Sequence, residues 1–219
     1  MKITLTFDNG PTPETTPQVL DALAAHSVRA TFFLVADRLR DPAARELAAR
    51  AASAGHWIGN HTLTHTVQFG DAPGDPELVA REIADAQHLI GDLAAGTPEL
   101  LFRPYAGGGI LDRRVFGSAA LDHLRRHEYT CVLWNSLPHD WDDPEGWVDR
   151  LLADAAAPDS RDWSLVVLHD LPTGAMDHLP RLLDELSRRG ADLVQDFPPS
   201  CLPLRPGHPD LPLAHLTAD

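Results

Sequence analysis

Cysteine is nearly absent from this chain, with two in 219 residues, Cys131 and Cys201. Two thiols make no disulfide framework, so a packed core must hold the fold. Cys131 lies in the apolar run YTCVLW and reads as a core residue. Basic residues are also scarce, 18 Lys and Arg against 32 Asp and Glu, for a formal net charge of -14. Such a surface repels nucleic acid and anionic membranes, which argues against both as partners. No apolar run approaches the ~20 residues of a membrane span. No GxGxxG follows the first strand, which counts against a dinucleotide-binding protein. No room for a signal peptide precedes Ile3. The chain as it stands is therefore expected in the cytoplasm, or as the processed form of a secreted protein. Repeats and Gly/Ser linkers are missing as well, so residues 1–219 are expected to form one domain. Its Pro-rich tail, from about residue 197, is expected to lie extended on the surface.

What is present is a globular composition, 43% apolar and 23% charged, patterned as alternating strands and helices. Short β-branched and apolar runs predict strands at 3–7, 30–35, 57–59, 100–102, 129–134, 165–168 and 191–194. Helical periodicity predicts helices at 16–26, 42–54, 76–93, 111–126, 144–156 and 178–189, with Asp41 as an N-cap. Such alternation means parallel strands with crossover helices, either closed as a (β/α) barrel or open as a doubly wound sheet. In both architectures function gathers at the C-terminal ends of the strands.

Chemically capable residues fall at those ends. Asp8 and Asn9 end the first strand, in ITLTFDNGP, although Asn-Gly by itself reads equally as a plain turn. His61 and His65 follow the third strand, in GNHTLTHT. Their i,i+4 spacing puts both imidazoles on one side of a helical turn, suited to one metal ion. His123 and His127 share that spacing but sit beside Arg125 and Arg126 on a solvated helix face, so position rather than spacing separates the pairs. Arg103 follows the fourth strand, Asp140 and Trp141 lie in the loop after the fifth, and His169 and Asp170 follow the sixth. Singly, each has a structural explanation: a cap, an ion-pair partner, a buried aromatic anchor.

Together TFDNGP, HTLTH, FRPY, the DW of HDW, and VLH resemble, in order and spacing, the polysaccharide deacetylases, the NodB-like amide hydrolases of carbohydrate esterase family 4. The resemblance spans about residues 5–169. It implies an α/β fold, a distorted, incomplete (β/α) barrel of about seven parallel strands. It implies a metal-dependent hydrolase that removes N-acetyl groups from an amino sugar or oligosaccharide. The implied cofactor is a divalent ion, zinc first, with cobalt or nickel as alternatives. By the same resemblance Asp8 is the catalytic base, Arg103 orients it, His169 is the general acid and Asp140 tunes that acid. Asn9, His61 and His65 are the metal ligands, and Tyr105, Ala106 and Trp141 border the substrate. The chain departs from the family where a second aspartate usually completes the metal site. Asn9 stands there, an uncharged ligand expected to hold the ion more weakly. It departs again at Pro104-Tyr105-Ala106, where Ala106 takes the family's tyrosine position if aligned without a gap and Tyr105 does with a one-residue deletion, and at Leu137, where an aspartate often stands. Two other readings stay open: a metal-poor, carbohydrate-binding pseudoenzyme, and a hydrolase of a small non-sugar amide. Retention of Asp8 and His169 argues for turnover, because a binder needs neither base nor acid.

Overall fold

The computed structural model of the chain describes residues 1–157 and 161–218. In chain order the elements are β1 (Lys2–Asp8), α1 (Thr16–Ala25), β2 (Thr31–Leu34), α2 (Pro42–Ser53) and β3 (Trp57–Asn60). Next comes a helix in three parts: α3 (Pro76–Val79), a π-helical stretch (Ala80–Asp85) and α4 (Ala86–Ile90). There follow β4 (Leu100–Phe102), α5 (Ser118–Arg126), β5 (Tyr129–Cys131), α6 (Trp147–Ala156), β6 (Trp163–His169), α7 (Leu179–Arg188) and β7 (Asp192–Leu193). Helix starts follow local chemistry. The Asp41 carboxylate accepts the Ala43 N–H at the start of α2, and Asp75 accepts those of Glu77 and Leu78 at α3. Proline occupies the first turn of both, where its missing N–H costs nothing.

The strands run parallel in the order β5-β4-β3-β2-β1-β6, with β7 also on β1. β1 is central. It pairs with β6 from Lys2 beside Trp163 to Asp8 beside His169. Its other edge is shared, β7 taking Lys2 and Ile3 and β2 taking Thr6 to Asp8. The segment after β5 crosses to β6, where Ser136 bridges Val166 and the Asn135 side chain accepts the Leu165 N–H at 2.8 Å. The sheet thus curls into a half-barrel, as the alternation and the family resemblance imply.

Strand alternation divides the core. Ile3, Leu5 and Phe7 of β1 face outward and pack on Val19 and Leu23 of α1 and on Leu179 and Leu183 of α7. A separate cluster, Phe33, Leu101, Val132, Leu165, Phe197 and Leu202, fills the barrel interior. Among the described residues, no helix is long and apolar enough to cross a membrane.

The tail departs from the surface-packed expectation. Phe197, Cys201, Leu202 and Leu204 are buried, and Phe197 packs on Trp57 with ring centroids 5.6 Å apart. It stops the barrel at the end where the strands begin; proline spacing hides this because the apolar side chains follow no period. The tail also explains two shifted boundaries. The Phe116 N–H donates to the Leu216 carbonyl, which keeps residues 111–117 out of the helix expected there, and α5 begins at Ser118. Cys131 pairs antiparallel with Leu204, and β5 ends there rather than at Trp134. At α6, Asp143 caps the Gly146 N–H, so residues 144–146 form a turn before the helix.

Phe197→Ala should therefore destabilise the protein by about 3 kcal/mol, the cost of a vacated aromatic core site. Urea denaturation would read this as a lower midpoint at unchanged slope; an unshifted midpoint would place the tail outside the cooperative core.

Candidate active site

At the other end of the barrel the strands deliver their last residues into one cleft of about 250 Å³. Asp8, Asn9, His61, His65 and His169 all line it, with Tyr105, Ala106 and Trp141 on its walls. Arg103 and Asp140 lie behind these, both fully buried. His123 and His127 stack on each other at 4.4 Å between centroids at the far end of α5, away from this cleft.

Asp8 is 3% exposed, so its charge needs a partner. Arg103 supplies it, donating from Nη1 to Asp8 Oδ1 at 2.7 Å. The guanidinium is itself held at fixed points. Nε donates to the Val132 carbonyl at 3.0 Å, Nη1 also donates to Thr6 Oγ1 at 2.7 Å, and the plane lies 4.0 Å over the Phe33 ring. Asp8 Oδ2 stays clear of the guanidinium and faces His61 Nε2 at 3.5 Å.

The imidazoles come together through left-handed backbone, not through the helical turn expected from their spacing. Thr62 has φ 66° and His65 φ 58°, and the segment is a loop. Their ring centroids lie 4.6 Å apart, and Tyr105 stands edge-on to His65 at 4.4 Å. His61 Nδ1 lies 2.8 Å from the Arg103 carbonyl. A carbonyl only accepts, so Nδ1 carries the proton and Nε2 presents a lone pair to the cleft. Burial drives both His61 and His65 down to about 3, so both are neutral at physiological pH.

The loop is braced by two residues to which the sequence reading assigned no role, Asn60 and Glu82. A π-helical stretch leaves carbonyls off the regular ladder. Here Glu82 O accepts the Leu63 N–H at 2.9 Å, and Ile83 O accepts Asn60 Nδ2 at 3.0 Å. The buried Glu82 carboxylate accepts both the N–H and the hydroxyl of Thr64 at 3.0 Å. The signal was available: a glutamate on the buried face of an amphipathic helix has to be paired.

Asn9 also takes a left-handed conformation, φ 74°, as the Asn-Gly turn predicts. Its Oδ1 is buried and has no hydrogen-bond partner among the described residues. Such a group is costly unless something else satisfies it. Two neutral imidazoles beside an unpaired amide oxygen fit a divalent cation. Among the described residues no cluster of three or more His, Cys, Asp or Glu is placed to bind metal.

His169 behaves oppositely to the other two histidines. Its Nδ1 lies 2.9 Å from Asp140 Oδ1, while Asp140 Oδ2 accepts its backbone N–H at 2.9 Å. Burial lowers its pKa, but the hydrogen bond and charge of Asp140 outweigh that and raise it above the ordinary value. Trp141 stands edge-on to the ring at 4.7 Å. His139, at φ 55°, is a turn residue with a half-exposed side chain. Behind this pair sits Asp170, fully buried, with burial raising its carboxyl to about 7. Thr16 donates to it at 2.5 Å. A Cβ on Gly10 would meet its Oδ2 at 2.0 Å, so only glycine fits there.

The sequence profile named Polysaccharide deacetylase matches residues 1–132. The chain belongs to the polysaccharide deacetylase family. One relative, a chitooligosaccharide deacetylase of Rhizobium leguminosarum bv. trifolii, is 34% identical over 168 residues, covering 77% of this chain and 71% of its own. Another polysaccharide deacetylase relative, a peptidoglycan-N-acetylglucosamine deacetylase of Bacillus cereus, is 33% identical over 203 residues, covering 88% and 84%. Among solved structures, a family 4 acetyl xylan esterase from Clostridium thermocellum in complex with a cobalt ion superposes with a TM-score of 0.70. It is 26% identical, over 89% of this chain and 88% of that one.

Replacing Asp140 with Asn removes the charge that raises His169. The His169 pKa should then fall below its wild-type value, so the imidazolium is lost at lower pH. NMR titration of the ring protons would detect this; an unchanged midpoint would show that Asp140 is not the cause.

Proposed function

We propose that this chain is a metal-dependent amide hydrolase that removes N-acetyl groups from an amino sugar or oligosaccharide. One observation carries the reading: a buried carboxylate with one oxygen pinned by Arg103 and the other facing the cleft, beside an unpaired amide oxygen and two neutral imidazoles. The names of the relatives, deacetylases of chitooligosaccharide and of peptidoglycan N-acetylglucosamine, support the same bond and the same class of substrate.

Asn9 Oδ1, His61 Nε2 and His65 would hold the cation. A divalent ion so bound polarises the amide carbonyl and lowers the pKa of a bound water from ~15.7 towards ~7. Zinc suits an N,N,O donor set best, with cobalt or nickel as alternatives. Asp8 takes the proton of the attacking water through the oxygen that Arg103 leaves free. Arg103 keeps that carboxylate aimed. A backbone N–H at Tyr105 or Ala106 steadies the negative oxygen of the tetrahedral species. The departing nitrogen cannot leave as an anion, so it must be protonated. His169 delivers that proton, and Asp140 keeps it available near neutral pH by favouring the imidazolium. Trp141 offers a flat wall to the sugar ring. A pure binding protein would need neither the oriented base nor the raised acid, which sets the pseudoenzyme reading second.

Acetate should be released from chitin oligomers, and Asp8→Ala should abolish that release. Acetate release unaffected by Asp8→Ala, or a bound sugar never turned over at any metal, would refute the hydrolase. Zinc titration addresses the ligand assignment separately. Asn9→Asp adds a charge at the third donor and should tighten binding by about tenfold or more, as expected for a charged ligand set. Equal affinity would remove position 9 from the site.

A further inference from the structure

The mechanism leaves one fully buried carboxyl unused. Asp170 directly follows His169 and lines no part of the cleft. Its side chain and its carbonyl both serve the loop after β1. The hydroxyl of Thr16, the first residue of α1, donates to Asp170 Oδ2 at 2.5 Å and accepts the Thr12 N–H at 2.7 Å. The Thr12 hydroxyl in turn donates to the Asp170 carbonyl at 2.6 Å. These three bonds close a ring that ties the end of β6 to residues 12–16. The carboxyl also packs flat on Gly10, where a Cβ would lie 2.0 and 2.2 Å from its two oxygens. Asp170 Oδ1 has no hydrogen-bond partner among the described residues. An apolar side chain would fill this space at less cost, because a buried oxygen without a partner is destabilising.

What the carboxyl does is press on the residue next to Asn9. The chain is then fixed on both sides of Asn9. Asp8 is in register with Phe33 of β2 and His169 of β6, and Arg103 holds its carboxylate. The Gly10 carbonyl accepts the Val35 N–H at 3.2 Å, while Asp170 packs on the Gly10 Cα. Between these anchors Asn9 keeps its left-handed conformation, φ 74°, with Oδ1 buried and unpaired. A carboxylate attracts a cation by its charge. A neutral amide has only its dipole, so its affinity depends on the oxygen being in place beforehand. We propose that Asp170, through Gly10 and the Thr16 hydroxyl, is the positioning residue that presets the Asn9 amide oxygen for a divalent cation. The inference rests on the reading of Asn9 as a metal ligand.

The test uses the full chain and zinc. Calorimetry gives the zinc Kd. The side-chain amide signals of Asn9, followed by NMR in metal-free protein, report its conformation without any ligand. Thr16→Val removes the hydroxyl with little change of shape, Thr16→Ser keeps it, and Asp170→Ala removes the carboxyl. Thr16→Val and Asp170→Ala should each weaken zinc by about tenfold or more, the loss expected when a partner behind a metal ligand is removed. Both should also shift or split the Asn9 amide signals. Thr16→Ser should match the wild type in both readouts, which a general loosening of the fold would not explain. In an Asn9→Ala background the same substitutions should leave the zinc Kd unchanged, because the residue they act through is gone. If zinc binds the wild type and both variants stay within about twofold of its Kd, the proposal is overturned and the metal reading stands. Weakening that persists in full without Asn9 overturns it too, since the effect then travels through another residue. If zinc does not bind the wild type, yet the Asn9 signals move with Thr16→Val and not with Thr16→Ser, the metal reading falls and the positioning role stands. Asn9 signals unmoved by Thr16→Val and Asp170→Ala overturn the positioning role.

Discussion

The ion pair between Arg103 and Asp8 is the constraint on which the site depends. Both partners are buried, and a buried carboxylate without its cation is destabilising by ~3–5 kcal/mol. The pair is worth keeping because each end is tied elsewhere. Arg103 reaches a backbone carbonyl on the next segment, a threonine on β1 and an aromatic face on β2. Its own carbonyl fixes the tautomer of His61. One residue at the end of β4 thus orients the Asp8 carboxylate and sets which nitrogen of the first imidazole faces the cleft.

The barrel makes that arrangement possible by being closed at one end and open at the other. The tail fills the entrance to the strands with Phe197 and Leu202, so the opposite rim is left to hold polar groups. Those groups are then braced from outside. The π-helical stretch gives up two carbonyls to the histidine loop, and Glu82 receives the loop's amide and hydroxyl. This bracing holds Thr62 and His65 in left-handed conformations that a non-glycine residue adopts only under constraint.

Three histidines in one cleft are pushed in two directions by their surroundings. His61 and His65 lie in low-dielectric surroundings where the charged form is disfavoured, and they are neutral. His169 is also largely buried, yet the hydrogen bond and charge of Asp140 raise its pKa above the ordinary value. Environments that push like groups apart in this way give one residue type two protonation behaviours in one cleft. Asn9 adds a buried amide oxygen without a hydrogen-bond partner on the same rim.

Much of the fold was legible in the chain. The alternation of strand and helix reflects burial of parallel strands on both faces, which writes itself as short apolar runs such as LVVL. The placement of Asp8, Asn9, His61, His65, Arg103, Asp140 and His169 at strand ends was legible too, since strand direction decides which loops share a face. The supports were not legible. That a helix would slip into π geometry to hold Thr64 and that Phe197 and Leu202 would plug a barrel depend on contacts between residues distant in sequence. Sequence alone determined which candidate residues stand together on one rim, because strand direction fixes which loops share it. Tertiary packing decided which histidines are neutral and which carboxylate oxygen is free, because burial and pairing are properties of neighbours brought together only by folding.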